Sequence, residues 1–433
     1  MKLRCGPRRP RRSLALPLGV VLVGWVGAAR GQALTVGSSG PDEFHLIATV
    51  GVRPNSNVLF ESGNSQGDYI TTIALGLNAR RHSPRTDWSL NYRPILNHYM
   101  DFSELDHLSQ AFNGGADYSL SPRSKMQIRE TFTFSQDPII VASPETGDSP
   151  ILTNTQKRWR NLSDIGFARA VSPSISWSTG VTYYANRFED TNATDNNGIL
   201  GRLDLNVALG KHDTLTGAYT PGYVSFKSHE PAFDPCDPAS TLPTTKTQTI
   251  HSTANQLGLG WTHATGRSWQ TDLGLGSSLV DQQVRDFTQS CPSDQIDTND
   301  RSRTQRLFVG RAGLRGSFHR FDLIGGAQRR LTADTGADTV TVGNNFFLAL
   351  NGKIGQQTTY GVALDYTTRK SLGGSTTLVD IASQGVTLRS GYAINDWCSL
   401  SAAVSLREQQ NSESSANNQI VDNYFFGVSF KVF

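Results

Sequence analysis

The sequence predicts an all-β protein, a single antiparallel transmembrane β-barrel of about eighteen strands, on three observations. Amphipathic strand pairs repeat over residues 43–433, their connections alternate strictly between short and long, and tryptophans gather beside the short ones. Residues 272–279 show the unit: Leu273, Leu275, Ser277 and Leu279 alternate with Asp272, Gly274, Gly276 and Ser278. A period of two gives a strand one apolar and one polar face. Repeated along a chain with short and long connections, it is the signature of a barrel that faces lipid outside and water inside. The 41 glycines and low mean hydropathy suit this design, because only every second strand residue needs to be apolar. Past the N-terminus no apolar run approaches the ~20 residues of a spanning helix.

The N-terminus reads as a secretory signal over residues 1–33. Lys2, Arg4, Arg8, Arg9, Arg11 and Arg12 form its basic region and residues 14–29 its apolar one, and small residues at 31–33 place the cleavage most simply after Ala33. A single N-terminal membrane anchor is the rival reading. The arginine pairs suggest twin-arginine export, but a barrel crosses the inner membrane unfolded, which favours the general route. A short periplasmic segment, 34–42, then leads into the barrel, 43–433. Removing the seven basic residues of 1–33 from the total of 40 leaves 33 against 37 acids, a mature charge of about −4. That balance excludes nucleic acid as a partner class.

Of four cysteines, Cys5 lies in the signal without a lipobox before it. Cys236 and Cys291 fall in two long polar loops that neighbour one another in this topology. In an oxidising compartment they either form a disulfide or stay free, since sequence does not bring their Cα atoms within bridging distance. Cys398 shares an apolar face with Leu400, Ala402 and Val404 and reads as a small apolar residue.

Short breakers occur at residues 82–85, 121–124, 171–173, 210–213, 265–267, 317–320, 354–357 and 394–396. Longer Asn-, Asp-, Ser-, Gly- and Pro-rich stretches separate them, at 54–68, 101–106, 136–156, 189–197, 228–247, 287–302, 332–337, 371–376 and 411–417. These seventeen connections imply eighteen strands, or sixteen if the first, 43–53, does not form. Outer-membrane barrels have an even strand count, short periplasmic turns and long outer loops. Trp88, Trp177, Trp261, Trp269 and Trp397 lie near short turns, whereas Trp159 borders a long loop. Amphipathic indoles favour the bilayer interface, so these five predict a periplasmic girdle.

The chain ends on Tyr424-Phe-Phe-Gly-Val-Ser-Phe-Lys-Val-Phe433, which resembles the C-terminal strand signal that the barrel-assembly machinery recognises. The phase departs from that signal: Lys431, Ser429 and Gly427 are in step with Phe433, and Val428, Phe430 and Val432 are not. Either the terminal residue turns outward past the last hydrogen bond or a bulge near Gly427 shifts the register.

Residues 48–137 resemble the opening of the β-barrel porins (type 2) that accompany exopolysaccharide systems in Gram-negative bacteria. The resemblance rests on Val-Gly-Val-Arg-Pro-Asn-Ser-Asn-Val (50–58), a long strand ending near Arg80, Trp-Ser-Leu-Asn-Tyr (88–92) and Asp-Tyr-Ser-Leu-Ser-Pro-Arg-Ser (117–124). It covers the mature chain in layout but specific residues only in the first third. It implies an outer-membrane location and a role near polysaccharide export or the cell surface.

No catalytic constellation, metal-ligand spacing or phosphate-cradling loop stands out, so neither an enzyme nor a cofactor is expected. His98, Asp101 and Ser103 supply hydrolase residue types, but three common residues at one strand end read as interfacial polarity. The predicted lumen face carries more information. It holds Arg80, Arg129, Arg202 with Asp204, Asp272, Arg315, Asp322, Asp365 with Arg369, Arg389 and Arg407. Two roles stay open: mutual neutralisation across a filled interior, or an arginine-rich path for anionic solutes or acidic sugar polymers. An eighteen-strand bore admits water unless loops fold inward, and the loops 136–156 and 228–247 are the candidate plugs. Three features resist the pattern. Glu130 falls among Ile128, Phe132 and Phe134, so it is expected near an interface or in a different register. Pro94 and Pro221 interrupt strands and each should mark a bend, a bulge or a missing ladder bond.

Overall fold

The computed structural model describes residues 42–58, 65–136, 157–189, 194–228, 246–266, 268–289, 296–332, 340–372, 381–411 and 419–431. The predicted signal, Cys5, Cys236, Cys291, Phe433 and both candidate plug loops, apart from a few end residues, lie outside them. Nine hairpin-linked pairs of strands follow in chain order. They are β1 (Asp42–Asn55) and β2 (Asp68–His82), β3 (Thr86–Tyr99) and β4 (His107–Ser121), β5 (Ser124–Ser135) and β6 (Arg158–Ala170). Next come β7 (Ile175–Phe188) and β8 (Thr194–Ala208), β9 (Asp213–Ser228) and β10 (Lys246–Thr265), β11 (Trp269–Gln289) and β12 (Ile296–Ser317). The last are β13 (Phe321–Thr332) and β14 (Thr341–Ile354), β15 (Thr358–Ser371) and β16 (Ile381–Ala393), β17 (Cys398–Asn411) and β18 (Gln419–Lys431). Each strand pairs antiparallel with the next in sequence, and β18 returns to β1 from Ile47↔Lys431 to Asn55↔Asn423. The 18-stranded sheet is therefore closed on itself around the barrel.

All eight predicted short turns connect strands at one end of the barrel. Local chemistry explains several. Gly266 (φ 66°) and Gly355 (φ 68°) take the left-handed conformation that a Cβ disfavours. At the last of these turns the Asn395 Oδ1 accepts from the backbone N–H groups of Trp397 (3.0 Å) and Cys398 (2.8 Å), an Asx turn.

The long-loop end differs from expectation at residues 287–302. Instead of a loop, β11 and β12 continue as an extended hairpin paired out to Gln289↔Ile296. This stretch carries no apolar alternation along its sequence. Its backbone ladder needs none, and Val284, Phe287, Thr288, Ile296 and Thr298 are good strand formers. β12 pairs with β13 only from Gly310↔Arg329 to Ser317↔Asp322, so its upper half rises clear of that neighbour.

Both strand prolines cost ladder pairs without changing register. Between β2 and β3 the pairing runs Ala74↔Ile95, then Leu77↔Tyr92, skipping Pro94. Between β8 and β9 it runs Leu200↔Gly222, then Leu203↔Tyr219, skipping Pro221. Each is the missing ladder bond that an absent N–H dictates. At the C-terminal strand the ladders to β1 and β17 pass through Gly427 without a shift, so there is no bulge there.

The two faces of the sheet are opposite in character. Val50, Ile73, Leu205, Leu257, Leu259 (66% exposed), Leu275 (65%), Leu348, Leu388 and Phe426 stand on the outer face, open to the surroundings. On the inner face, toward the long loops, side chains are buried: Asn97, Ser252, Ser278, Asn345, Thr367 and Ser383. An apolar cluster of Val224, Phe226, Ile250, Val280, Val340, Val342 and Leu372 packs at that same end. A smaller one joins Val58, Ile70 and Tyr99 beneath a 3₁₀ turn at Ser103–Leu105.

Candidate functional site on the inner wall

Strand alternation sets the geometry of the inner wall. Apolar neighbours one residue away, such as Leu203 beside Arg202, Leu314 beside Arg315, Leu364 beside Asp365, Leu388 beside Arg389 and Leu406 beside Arg407, are exposed on the outer face. Each charged residue therefore takes the opposite face of its strand. By the same parity Arg80, Arg129, Asp204, Asp272, Asp322 and Arg369 are also on the inner side, as is Arg311, which the sequence reading did not single out.

Most of these charges form local pairs. Arg80 Nη2 lies 3.0 Å from Asp87, and Arg129 Nη2 donates to both carboxylate oxygens of Asp117 at 2.7 and 2.8 Å. Arg202 Nε lies 3.3 Å from Asp204, which also accepts from the Ser178 hydroxyl at 3.1 Å. Arg311 Nε lies 3.7 Å from Asp272. Asp322 accepts from the Ser317 hydroxyl at 2.6 Å. Arg407 reaches across to Asp365 at 2.7 Å and donates to the Ser383 hydroxyl at 2.9 Å. Of the two arginines predicted together with aspartates, Arg202 meets Asp204; Asp365 is instead met by Arg407, not by Arg369.

A second regularity is invisible within any single strand. Six inner-wall arginines face a glycine directly across the ladder: Arg129↔Gly115, Arg202↔Gly180, Arg311↔Gly274, Arg369↔Gly343, Arg389↔Gly361 and Arg407↔Gly385. At several of these the space of the missing side chain is used. A Cβ on Gly115 would fall 2.9 Å from Arg129 Cδ, one on Gly274 3.0 Å from Arg311 Cγ, and one on Gly385 2.5 Å from Arg407 Nη2. The glycines let long guanidinium side chains lie along the wall rather than project into the bore. Aliphatic stems then pack on backbone.

Accessibility divides this wall along the barrel axis. Toward the short turns the cations meet solvent, with the Arg202 side chain 51% and the Arg311 side chain 60% exposed. Toward the long loops the Arg407–Asp365 pair is enclosed, at 3% and 10%. The arrangement is a vestibule of solvent-exposed arginine–aspartate pairs toward the short turns and a buried polar layer toward the long loops.

Two residues lie elsewhere than the sequence suggested. Glu130 is neither near a rim nor out of register. It stands mid-strand on the outer face of β5, in line with exposed Ile128 and paired with Ser163. Its Oε1 accepts from Asn161 Nδ2 at 2.5 Å, and Asn161 Oδ1 accepts from the Ser163 hydroxyl at 3.2 Å, so a small polar patch offsets part of its cost. His98 pairs with Asp106 (2.6 Å) and not with Asp101, whose N–H is donated to Asp68. His98, Asp101 and Ser103 thus form no catalytic relay. Among the described residues no cluster of three metal-binding side chains occurs.

No family model matches the chain, and no curated protein matches it. Solved structures align with the chain at very low sequence identity. The ferric-catecholate import receptor Fiu of E. coli K12, in its open form, aligns at 8% identity over 90% of this chain and 81% of its own, with a TM-score of 0.47. The ferric citrate transporter FecA in its unliganded form gives 8% identity, 91% and 79% coverage, and 0.47. The siderophore receptor PiuA of Acinetobacter baumannii gives 10% identity, 89% and 81% coverage, and 0.46. With TM-scores below 0.5, these likenesses carry no argument about cargo or mechanism.

Proposed function

We propose that the protein is an integral outer-membrane channel that passes polar, preferentially anionic solutes. One observation carries this reading: a closed 18-stranded barrel exposes rows of Leu, Ile, Val and Phe outside and arginines inside. A continuous apolar outer face of that extent is foreign to a water-soluble monomer and fits the hydrocarbon layer. Its partners are then the outer-membrane lipid and, for insertion, the barrel-assembly machinery. The finer reading, passage of acidic polysaccharide, is supported by the resemblance of residues 48–137 to the porins of exopolysaccharide systems and by the arginines of the vestibule. Purified mature protein reconstituted into liposomes tests the channel reading by osmotic swelling. Protein-dependent swelling in small polar solutes is expected, and inserted protein that leaves the liposomes impermeable would contradict it.

A second reading, a structural or surface-binding barrel without transport, is favoured by the burial of Ser252, Ser278, Thr367 and Ser383 on the inner face toward the long loops. It predicts intact insertion with no swelling.

A further inference from the structure

Two arginines share the short-turn rim of β5 and β6 without an acid between them. Arg169 continues the outer face of β6 in phase with exposed Ile165, and the ladders pair it with Ser124 on one side and Trp177 on the other. Arg123 lies in the turn between β4 and β5. That turn is tied to β6, because the Ala170 N–H donates to the Arg123 carbonyl at 2.8 Å. Arg123 is thereby held against the residue next to Arg169, and both line one recess of about 460 Å³ with Trp177. Among the described residues no carboxylate lines this recess. Elsewhere along the rim cations meet acids: Arg80 and His82 face Asp87, and His263 lies 2.8 Å from Asp213.

From the recess the outer face runs toward mid-barrel as an apolar stripe. Met126, Phe167 and Thr179 stand in register one tier up, and Ile128, Ile165 and Val181 two tiers up, before Glu130 and Ser163 interrupt it. Each tier is two residues, ~6.6 Å of strand. Ile165 and Val181 are each 53% exposed, so the stripe is open on its outer side. The Phe167 and Trp177 rings meet at a centroid separation of 5.4 Å, which holds the indole beside Arg169. Indoles of this kind mark the level of the bilayer interface. Cations at the rim, an indole at the interface and an apolar stripe beyond it follow the order of a lipid molecule from headgroup to acyl chain. Guanidinium groups bind phosphate through charge-assisted hydrogen bonds.

We propose that this recess binds the headgroup of an anionic phospholipid in the leaflet at the short-turn end. Arg123 and Arg169 hold the phosphodiester, the Trp177 ring walls the headgroup, and an acyl chain lies along Phe167, Ile165 and Val181. Two cations without an acid favour a net negative headgroup over a zwitterionic one, whose ammonium finds no carboxylate here. The proposal rests on the membrane-barrel part of the function proposed above and is independent of conduction.

Quenching of tryptophan fluorescence by brominated lipid tests it. Refolded mature protein is reconstituted in phosphatidylcholine vesicles containing brominated phosphatidylglycerol or, in parallel, brominated phosphatidylcholine. The Trp177 signal is the difference from the Trp177→Phe variant. Trp177 should be half-quenched at a lower fraction of brominated phosphatidylglycerol than of brominated phosphatidylcholine. R123Q and R169Q should each reduce that preference about fivefold, the effect of one arginine beside an anionic headgroup. Arg187→Gln, which removes the cation over Trp159 at the long-loop end, should leave it unchanged. Aqueous glycerol 3-phosphate, which carries the phosphate without the chains, should not relieve the quenching. Equal quenching by the two lipids, or a preference that both arginine variants keep, would overturn the site. Relief by glycerol 3-phosphate would overturn the lipid as its ligand. Failure of the membrane-barrel reading looks different, because a chain outside the bilayer shows no quenching of Trp177 by either lipid.

Discussion

Arg407 and Asp365 are joined at 2.7 Å across an intervening strand, the guanidinium on β17 and the carboxylate on β15, with Gly385 of β16 between them. Both side chains are enclosed, and Asp365 Oδ2 has no hydrogen-bond partner among the described residues. A buried pair of this kind contributes little over a well-packed apolar one, yet removing one member leaves an uncompensated charge. Asp365→Asn is therefore expected to cost about 3–5 kcal/mol, read by urea unfolding in lipid vesicles. A double change to Leu at 365 and Met at 407 should recover most of that loss.

The bridge also depends on the residue it crosses. A Cβ at Gly385 would lie 2.5 Å from Arg407 Nη2 and 2.9 Å from Asp365 Oδ1. Gly385→Ala forces the two apart, and about 1–3 kcal/mol of destabilisation is expected from overpacking. In the background of the apolar double change the same substitution should be nearly neutral, and equal costs in both backgrounds would show that the clash lies elsewhere.

The outer face makes opposite demands at two positions. Leu257→Arg places a cation mid-strand in the apolar row and should cost about 2–4 kcal/mol in a bilayer. Glu130→Leu should do the reverse, raising stability by about 1–2 kcal/mol because a carboxylate leaves that row. Stability in vesicles, measured for both variants against the parent, checks the assigned outer face at once.

At the long-loop end, Asp106 ties the 3₁₀ turn to β3. Burial works against its carboxylate, but hydrogen bonds from the Tyr99 N–H and the His98 ring, with His98 and His107 close by, outweigh it and hold the pKa below the ordinary value. A group whose folded pKa is depressed stabilises above its unfolded pKa of about 3.9, and the benefit fades as pH falls through the folded value. Hydrogen-exchange protection of the Tyr99 amide should accordingly hold from neutral pH down to the ordinary carboxylate range and decline below it. Asp106→Ala should abolish it at neutral pH.

Much of this fold was legible in one strand at a time. Turn residues such as Gly266, Gly355 and Asn395 announce themselves, and the Leu/Gly alternation of 257–261 and 272–279 fixes which face is apolar. The extended β11–β12 hairpin was not legible, because a ladder with both faces polar carries no period to detect. For Glu130 the alternation gives the face but not the height, since sequence encodes parity and not depth. The candidate site was the least legible part. That Arg407 faces Gly385, or that Gly258 pairs with Gly276, depends on cross-strand register, which no single strand encodes. Arg311 was within reach, because the alternation through Phe308 and Leu314 already assigns it to the inner face.

The decisive measurement is single-channel conductance of refolded mature protein in a planar bilayer, with a salt gradient to read ion selectivity. A cation-bearing vestibule in a membrane-spanning barrel predicts discrete current steps with a reversal potential shifted toward anion preference, and R202Q together with R311Q should reduce that shift. A correctly folded, inserted barrel that carries no current, or one that prefers cations, would contradict the anion-channel reading.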